Sequence, residues 1–366
     1  MKFICTKDNL LHGLGRVVPV AGRNKQLPVL SQVLLQLKEG LLNLISTDLE
    51  IGVHSTVPGK VEGEGGCAVA ARKLFDYVQQ LPAINPIVME LKGNLLQVKT
   101  KGFQAQFPVT SDDDFPLLPK ISESNKIKVS GTSFCDGLTR TMFAAARDET
   151  RPEIRSVFIR VNKDKAIMAA TDSFRLAEEE IELADGGDFL FLLPLTTAQE
   201  VVRLFGGQEE LELAPGDNHI SFIGEGVELS SRLIEGKYPD YKQIIPSNFK
   251  VNGSVDKDEF IRALKTLMVF LPRDTRRVRF VVKPEQEKIV LSVGGEGGEG
   301  RVDLSFIGKG NDLDILFNIQ YLLEGMQYLP GEQATLRFVG SSEPAVFTPQ
   351  GDSWKYTYVV MPIQSN

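Results

Sequence analysis

The segment NLLHGLGRV at residues 9–17 sets a pattern that runs through the whole chain. Its leucines, Leu10, Leu11 and Leu14, have the spacing of one face of an α-helix. The same apolar spacing returns after 124 residues in TSFCDGLTR and after a further 126 in DEFIRALKT. The equivalent residues are Phe134, Cys135 and Leu138 in the second copy and Phe260, Ile261 and Leu264 in the third. The sequence therefore predicts three equivalent helices, one in each third of the chain.

A second helical segment repeats with the same period. In each copy two apolar residues lie three positions apart and a proline or glycine follows, which is typical of a helix end. These residues are Val78 and Leu81 before Pro82, Val202 and Phe205 before Gly206, and Met326 and Leu329 before Pro330. Further repeats are Phe115-Pro116, Tyr238-Pro239 and Met361-Pro362, and Thr47-Asp48 with Thr171-Asp172. A period of a third of 366 residues indicates whole domains, because solenoid repeats usually run about 20–50 residues.

Short apolar and β-branched runs, bounded by Gly, Asn and Asp, separate the predicted helices and indicate antiparallel strands. The clearest runs are residues 33–37, 95–100, 156–161, 279–283 and 288–293. Their spacing is too tight for a doubly wound fold, so we predict an α+β fold with two helices beside multistranded sheets in each repeat. The polar stretches 122–126 and 246–253 are the expected joints, which gives domains at residues 1–123, 124–248 and 249–366.

The composition narrows the classes of function. With 24% charged and 42% apolar residues, no stretch approaches the roughly 20 apolar residues of a membrane span. The start MKFICTKDNL carries charges where a signal peptide has its apolar core, so we expect a cytoplasmic protein. Three cysteines without CxxC spacing suggest neither a disulfide framework nor a zinc site. Three scattered histidines disfavour most His-dependent catalysis and most transition-metal sites.

The motifs of nucleotide hydrolysis, serine hydrolases, zinc proteases and EF-hands do not occur in the sequence, so we expect no catalytic residue, cofactor or metal. The run GGEGGEG at residues 294–300 has acids where a phosphate cradle needs cations, and favours a flexible or edge loop. Asp112, Asp113 and Asp114 leave one alternative open, a DNA-processing enzyme with a two-metal site. Three adjacent acids in a loop more often form a solvated turn, which is the favoured interpretation.

Basic residues lie on the predicted helices, on faces away from the apolar residues. On the first helices they are His12 and Arg16, Arg140 and Arg147, and Arg262 and Lys265; Arg72, Lys73 and Arg203 lie on the second helices. A solvated amphipathic face explains each helix taken alone. Their recurrence in a chain of net charge −7 favours a common polyanion, contacted at its phosphates and hence without base specificity.

Short segments in chain order resemble those of a known family, the bacterial sliding clamps or beta subunits of DNA polymerase III. They are the start MKF, LPVL at 27–30, STDLE at 46–50, ARKLFD at 71–76, DFPLLP at 114–119, ATDSFRLA at 170–177, LIEGKYPDYKQIIP at 233–246, FNIQYL at 317–322 and YVVMP at 358–362. Each is weak alone. Their order, together with the threefold period, extends the resemblance over essentially the whole chain.

The resemblance implies three clamp domains per chain and a head-to-tail homodimer that closes into a ring around duplex DNA. Such a ring slides on weak phosphate contacts and serves as a non-catalytic processivity factor, with no cofactor and no membrane. A monomeric peptide-binding scaffold without a DNA role is the alternative, which the mass in solution would distinguish.

The resemblance further implies a hydrophobic groove between the second and third domains that receives short linear peptides. Its partners would be the polymerase III alpha subunit, the clamp loader delta subunit, other polymerases and repair proteins. The matching positions are Arg151, Ile154, Thr171, Ser173, Phe174, Arg175 and Leu176 on one wall and Pro239, Ile244, Val359, Val360, Met361 and Pro362 on the other. Arg151 and Arg175 would offer donors at the rim, and Met361 would repack around varied ligands. The alternative for Val359 and Val360 is that they are ordinary core residues.

Two further sets follow from the resemblance and the basic faces. The expected DNA contacts are Arg23, Asn24, Arg72, Arg140, Arg147, Arg203, Arg262 and Lys265. At the contact that closes the ring, Phe107 and Val109 should pack on Val269 and Phe270 of the neighbouring chain, with Lys73 near Glu296 or Glu299. Two departures stand out: Ser173-Phe174 replaces a common Gly-His pair, which makes the groove rim more apolar, and Asn24 stands where an arginine is frequent.

Overall fold

A computed structural model describes residues 1–24, 26–116, 126–148, 150–184, 186–272, 276–295, 298–351 and 353–364. Within these ranges the chain forms six α-helices, two for each predicted repeat. They are α1 (Lys7–Val17), α2 (Ala71–Gln80), α3 (Gly131–Met142), α4 (Leu195–Phe205), α5 (Lys257–Met268) and α6 (Ile319–Tyr328). Among the described residues, no helix has the length and apolar character needed to cross a membrane.

Strands make up most of the remaining regular structure. The first repeat contains β1 (Lys2–Cys5), β2 (Gln32–Lys38), β3 (Leu41–Thr47), β4 (Ile51–Val57), β5 (Lys60–Glu62), β6 (Gly65–Ala70), β7 (Ile87–Lys92), β8 (Leu95–Thr100) and β9 (Phe103–Thr110). The second contains β10 (Ile127–Ser130), β11 (Ser156–Asn162), β12 (Lys165–Thr171), β13 (Arg175–Glu182), β14 (Asp188–Pro194), β15 (Glu210–Pro215), β16 (His219–Gly224) and β17 (Val227–Arg232). The third contains β18 (Val251–Asp256), β19 (Arg277–Lys283), β20 (Lys288–Gly295), β21 (Gly298–Ser305), β22 (Ile307–Lys309), β23 (Leu313–Asn318), β24 (Gln333–Phe338), β25 (Ala345–Pro349) and β26 (Lys355–Val360).

The helices form where the apolar spacing predicts them. The oxygen of Thr6 accepts a hydrogen bond from the backbone of Asn9 at 3.2 Å and so caps the start of α1, and Asp256 caps α5 in the same way. The predicted helix faces are buried: Leu10 and Leu14 in α1, Phe134 and Leu138 in α3, Phe260 and Leu264 in α5. Burial of these side chains, each contributing about 1.5–3 kcal/mol, fixes which side of each helix faces its sheet.

The chain divides into two compact units, Met1–Thr132 with Arg203–Leu233, and Ser133–Val202 with Ile234–Asn366. The first contains a 13-stranded sheet in the order β10-β15-β16-β17-β4-β3-β2-β6-β9-β8-β7-β1-β5. The second contains a nine-stranded sheet, β14-β11-β12-β13-β26-β25-β24-β18-β22, and a four-stranded sheet, β21-β20-β19-β23. In each large sheet the last strand of one repeat pairs with a strand of the preceding repeat, as β17 with β4 and β26 with β13.

The α+β fold of three similar domains is confirmed, and one local expectation is wrong. The described residues of the glycine-rich run lie in strands and not in a loop, since Gly294 is paired with Glu299 and Gly295 with Gly298 across β20 and β21. The last three residues of the expected joint at 246–253 lie in β18, which starts at Val251 and pairs with β24; the domain bounds at residues 123 and 248 stay predictions. The other joint falls largely on residues 117–125, outside the described residues. Asp112–Asp114 forms a single 3-10 turn capped by the side chain of Ser111.

Candidate functional site

The predicted groove residues meet where β13 pairs with β26, which we call the second junction. Arg175 lies opposite Val360 and Leu176 opposite Val359 in an antiparallel ladder. The ladder extends into the preceding turn, because the Met361 amide donates to the Phe174 carbonyl at 2.8 Å. The chain end and the ATDSFRLA segment are thus joined by main-chain hydrogen bonds, as two parts of one site.

The turn at residues 171–175 is built by its own side chains. Thr171 Oγ1 donates to the Arg175 carbonyl at 2.7 Å and accepts from the Ser173 amide at 3.1 Å. Asp172 Oδ1 accepts from the amides of Phe174 and Arg175, both at 3.0 Å. Ser173 takes the left-handed conformation with φ of +77°, which glycine adopts at lower cost. The turn holds Ser173 and Phe174 outward at the rim.

An equivalent turn precedes β4 in the first repeat, where β4 pairs with β17; we call this the first junction. Thr47 Oγ1 donates to the Ile51 carbonyl and Asp48 Oδ1 accepts from the Ile51 amide at 2.7 Å. Leu49 has φ of +77°, the value of Ser173. The Arg232 amide donates to the Glu50 carbonyl at 2.9 Å, as Met361 does to Phe174. The Thr-Asp repeat is therefore a structural repeat, and Glu50 and Arg232 are the counterparts of Phe174 and Met361.

A buried apolar cluster lies beneath the second junction. It consists of Ala146, Ile154, Ala169, Leu176, Leu192, Tyr238, Tyr241, Val346 and Val359. Ile154, Leu176, Val359 and Val360 expose 2% or less of their surface, so they belong to the core of this structure. Thr171 and Pro362 are buried as well. These residues are expected to form the walls of the groove, but in the structure they form its buried floor.

The exposed part of the site is a rim of mixed character. Phe174 exposes 59% and Ile244 44% of their surface, and Met361 is half-buried. Ile244 is the last residue of the 3-10 turn Tyr241–Ile244, and Tyr241 belongs to the buried cluster. One short turn therefore contributes to both the floor and the rim. Pro239 is exposed two residues before that turn. Arg151 is exposed and donates from Nη1 to Ser173 Oγ at 2.9 Å, which joins two predicted rim residues.

Arg175 does not act as an exposed rim donor, contrary to expectation. Its side chain is only 6% exposed, and Nε donates to Asp172 at 3.0 Å. Nη1 donates to Glu324 in α6, and Nη2 donates to the Phe143 carbonyl at 3.0 Å. Its guanidinium also lies 4.5 Å from the centre of the Tyr321 ring. Sequence reasoning missed Asp172, Tyr321 and Glu324 as parts of this site; only the repeated Thr-Asp pair signalled Asp172.

The two junctions share a backbone but differ in side chains. At the first, Gly52 lies opposite Ser230, and Ser230 lies opposite Ser221 with their buried hydroxyls 2.7 Å apart. At the second, the same ladder positions hold Leu176, Val359 and Val346. On the rim, Glu50 and Arg232 form an exposed ion pair at 3.6 Å where the second junction has Phe174 and Met361. Only the second junction combines an apolar floor with an apolar rim.

The predicted DNA contacts are mostly exposed cations. Arg23, Arg72, Arg147, Arg203, Arg262 and Lys265 are exposed, and Asn24 is partly buried. Arg203 donates to the carbonyls of Gly15 and Arg16 at 3.0 and 2.7 Å, where it caps the end of α1. Arg72 forms an ion pair with Asp76 at 3.1 Å.

Arg140 is tied into the core of its repeat. Its Nε donates to both carboxylate oxygens of Glu179 at 2.7 and 3.0 Å, and its side chain is 16% exposed. Burial raises the pKa of Glu179, although the hydrogen bonds from Arg140 pull it down. Arg140 therefore has a structural partner, and a phosphate contact from it stays a prediction.

The expected dimer residues form two sets, one in each compact unit. Phe107 and Val109 lie on β9, where Phe107 packs edge-to-face on Tyr77 at 5.6 Å between ring centres. Val269 is 80% exposed just after α5, and Phe270 lies against the glycines that start β21. Lys73 and Glu299 are exposed. Glu296 lies outside the described residues.

Three α+β repeats, a chain-end strand added to the preceding repeat, and basic helices on an acidic chain together define the class of the sliding clamps. Family models exist for three domains of the DNA polymerase III beta subunit, and all three match this chain. The N-terminal domain matches residues 1–119, the central domain residues 128–240 and the C-terminal domain residues 242–364. The beta sliding clamp of Synechococcus elongatus is 30% identical over all of this chain and 99% of its own length.

Solved structures give the same result. The DNA polymerase III beta subunit of Thermotoga maritima matches with a TM-score of 0.92 at 25% identity, over 100% of both chains. A sliding clamp of Pseudomonas aeruginosa bound to griselimycin matches with a TM-score of 0.94 at 25% identity, also over 100% of both. The chain belongs to the DNA polymerase III beta subunit family. It is a DNA sliding clamp, a non-catalytic processivity factor of DNA replication.

Proposed function

We propose that this clamp acts in the cytoplasm as a head-to-tail homodimer, a closed ring through which duplex DNA passes. The observation that supports the ring is that two strand edges, one in the first repeat and one in the third, lack among the described residues the partner strand that their counterparts have. In two repeats a sheet strand, β4 or β13, pairs with the last strand of the next repeat. The counterpart in the third repeat, β21, is the edge of its four-stranded sheet. The counterpart last strand in the first repeat, β9, pairs with β6 only at residues 109–110 on its second side.

An unpaired edge strand invites another strand, so β21 of one chain is proposed to pair with β9 of its neighbour. The register follows from equivalent residue pairs in the repeats. The pair Val293 and Gly300 is equivalent to Ala170 and Ala177, so Gly300 takes the place of Ala177. The pair Val98 and Ala105 is equivalent to Phe347 and Tyr358, so Ala105 takes the place of Tyr358. Since Ala177 lies opposite Tyr358, Gly300 is expected opposite Ala105, and Arg301 opposite Gln104. Phe107, Val269 and Phe270 then lie close to this contact.

A cysteine pair tests both the ring and its register. In Gln104→Cys/Arg301→Cys, oxidation should give covalent dimers of twice 40.4 kDa on a non-reducing gel, because opposite residues of paired strands have Cβ atoms about 4.5–5.5 Å apart. The control Gln104→Cys/Asp303→Cys moves one cysteine two residues out of register and should crosslink poorly. Light scattering coupled to gel filtration should find the unmodified dimer. A monomer, or equal crosslinking of the two variants, contradicts the proposed contact.

DNA is proposed to contact exposed cations such as Arg262 and Lys265 on α5, Arg72 on α2 and Arg147 after α3. Contacts to phosphates are independent of base sequence and weak enough singly for sliding, while enclosure keeps the ring on the duplex. A loaded ring should therefore stay on circular DNA and slip off linear DNA, as measured by gel filtration. Equal retention on both contradicts enclosure.

The second junction is proposed to receive short linear peptides of the polymerase III alpha subunit, the clamp loader delta subunit, other polymerases and repair proteins. Its support is the contrast between junctions: the same backbone carries Leu176, Val359 and Val346 at one and Gly52, Ser230 and Ser221 at the other. Apolar anchors of a peptide favour the former because their burial contributes roughly 25 cal/mol per Å².

Titration of a fluorescent, polymerase-derived peptide by anisotropy tests the groove. Met361→Ala should weaken binding about fivefold, since covering the exposed part of Met361 contributes about 1 kcal/mol. The mass of the dimer should not change, because Met361 lies on neither β9 nor β21. Indistinguishable binding curves would place the partner site elsewhere.

A further inference from the structure

Arg175 occupies the centre of a buried polar network in the second compact unit. Its guanidinium connects three parts of the fold: Asp172 in the turn, Glu324 and Tyr321 in α6, and the Phe143 carbonyl one residue after α3. Glu324 also accepts from Gln320 at 2.5 Å. All these partners face Arg175, and its side chain is 6% exposed. Few of its donors are therefore left for a ligand.

The turn does not need Arg175 in order to form. At the first junction Ile51 takes the place of Arg175, yet the Thr47 and Asp48 side chains make the corresponding turn hydrogen bonds. Arg175 adds a connection that the first junction lacks, namely from the turn to α6 and to the segment after α3. That difference coincides with the junction whose rim is apolar.

We propose that Arg175 is a positioning residue for the peptide groove, which ties the turn bearing Ser173 and Phe174 to α6 through Glu324 and does not itself touch the peptide. The inference rests on the proposed peptide-binding function. It assigns to Arg175 and Glu324 a shared effect on affinity that follows from rim geometry alone.

The chemistry of arginine suits this role. Its planar fork presents donors in three directions, here to Asp172, Glu324 and a carbonyl, whereas lysine is a single flexible point charge. Burial acts to raise the pKa of Glu324, but hydrogen bonds from Arg175 and Gln320 outweigh it and hold the pKa below its usual range. Glu324 is thus ionised at neutral pH, and the network carries two carboxylates around one guanidinium.

The test compares Arg175→Lys, Glu324→Gln and the double variant. The probe is a labelled peptide from the polymerase III alpha subunit with leucine and phenylalanine anchors, made with a free and with an amidated C-terminus. Each single variant should raise the Kd about tenfold, equally for both peptides, and the double variant should be no weaker than the weaker single one. Arg279→Lys is the matched control, because Arg279 forms an exposed ion pair with Asp314 at 2.5 Å in the same unit; its Kd should stay within about twofold.

Binding is measured well below each variant's melting temperature, so that loss of folding does not enter. Weaker binding by Arg175→Lys but not Glu324→Gln, with a dependence on the peptide carboxylate, would mean direct contact and overturn the inference. Unchanged affinity with a lowered melting temperature would leave only a structural role and overturn it too. If Arg175→Lys does not fold, Glu324→Gln decides alone. A wild-type clamp that fails to bind either peptide would refute the groove itself, and this inference with it.

Discussion

Exchanging the rim of the second junction for that of the first, as Phe174→Glu with Met361→Arg, should strongly weaken peptide binding without disturbing the sheet. Full burial of a phenylalanine contributes about 1.5–3 kcal/mol, and Phe174 has 59% of its surface left to cover, which corresponds to about 1–2 kcal/mol. The half-buried Met361 adds about 1 kcal/mol more. The sum of about 2–3 kcal/mol predicts a rise in Kd of roughly 30- to 150-fold. The bond from the Met361 amide to the Phe174 carbonyl is between main-chain atoms and persists in the variant.

The reverse exchange, Glu50→Phe with Arg232→Met, is the matched control. It gives the first junction an apolar rim but leaves Gly52, Ser230 and Ser221 beneath it, so it should create no second peptide site. Peptide stoichiometry by anisotropy and calorimetry should stay at one per chain. Tight binding by the first variant, or a second site in the reverse variant, would refute the reasoning that both floor and rim are needed.

Four further predictions follow from single contacts and conformations. Phe270→Ala should weaken the dimer more than Lys73→Ala in sedimentation at nanomolar concentration, because an aromatic anchor contributes a few kcal/mol and a rim ion pair about 1 kcal/mol or less. Ser173→Gly should raise the free energy of unfolding in urea by about 1 kcal/mol, since φ of +77° is costly for a residue with a Cβ; a decrease would contradict it. Arg262→Ala should reduce the salt slope of DNA binding by roughly one unit for every duplex sequence, and a sequence-dependent loss would contradict phosphate contact. Burial raises the pKa of the three cysteine thiols to about 12, so iodoacetamide at pH 8 should modify them only after unfolding.

Local patterns predicted the helices well because the information is local. The spacing of Leu10 and Leu14, repeated at Phe134 and Phe260, needs only the 3.6-residue period and a hydrophobic face. The pairing of β17 with β4 joins residues 227–231 to residues 51–55. Nothing in the sequence of either segment indicates that the other is its partner strand. The glycine-rich run differs from its prediction for a related reason: its composition favours a loop, while pairing between β20 and β21 makes most of it strand.

For the candidate site, the sequence predicts which segments come together better than it predicts what each side chain does. The second Thr-Asp pair, Thr171-Asp172, and the YVVMP segment meet at the second junction, where the resemblance implies the two walls of the groove. The role of Arg175 was wrong because its ion-pair partner Glu324 is 149 residues away, and the sequence does not show that a cation's donors are already used. The sequence of Val359 and Val360 fits a groove wall and a protein core equally well. Their exposure of 1% or less places them in the core.

The repeat pattern also explains why a chain built from three similar domains needs only one groove. A groove requires an apolar floor at the ladder positions held by Leu176 and Val359, which the first junction fills with Gly52 and Ser230. In the proposed contact between chains, the register that places Gly300 opposite Ala105 puts Glu299 opposite Gln106 at these same positions. A carboxylate and an amide make a poor floor for aliphatic anchors, because burying them without new hydrogen bonds costs free energy. Of the three kinds of junction in the proposed ring, only the second meets the requirement, so a homodimer would carry two grooves, one for each chain.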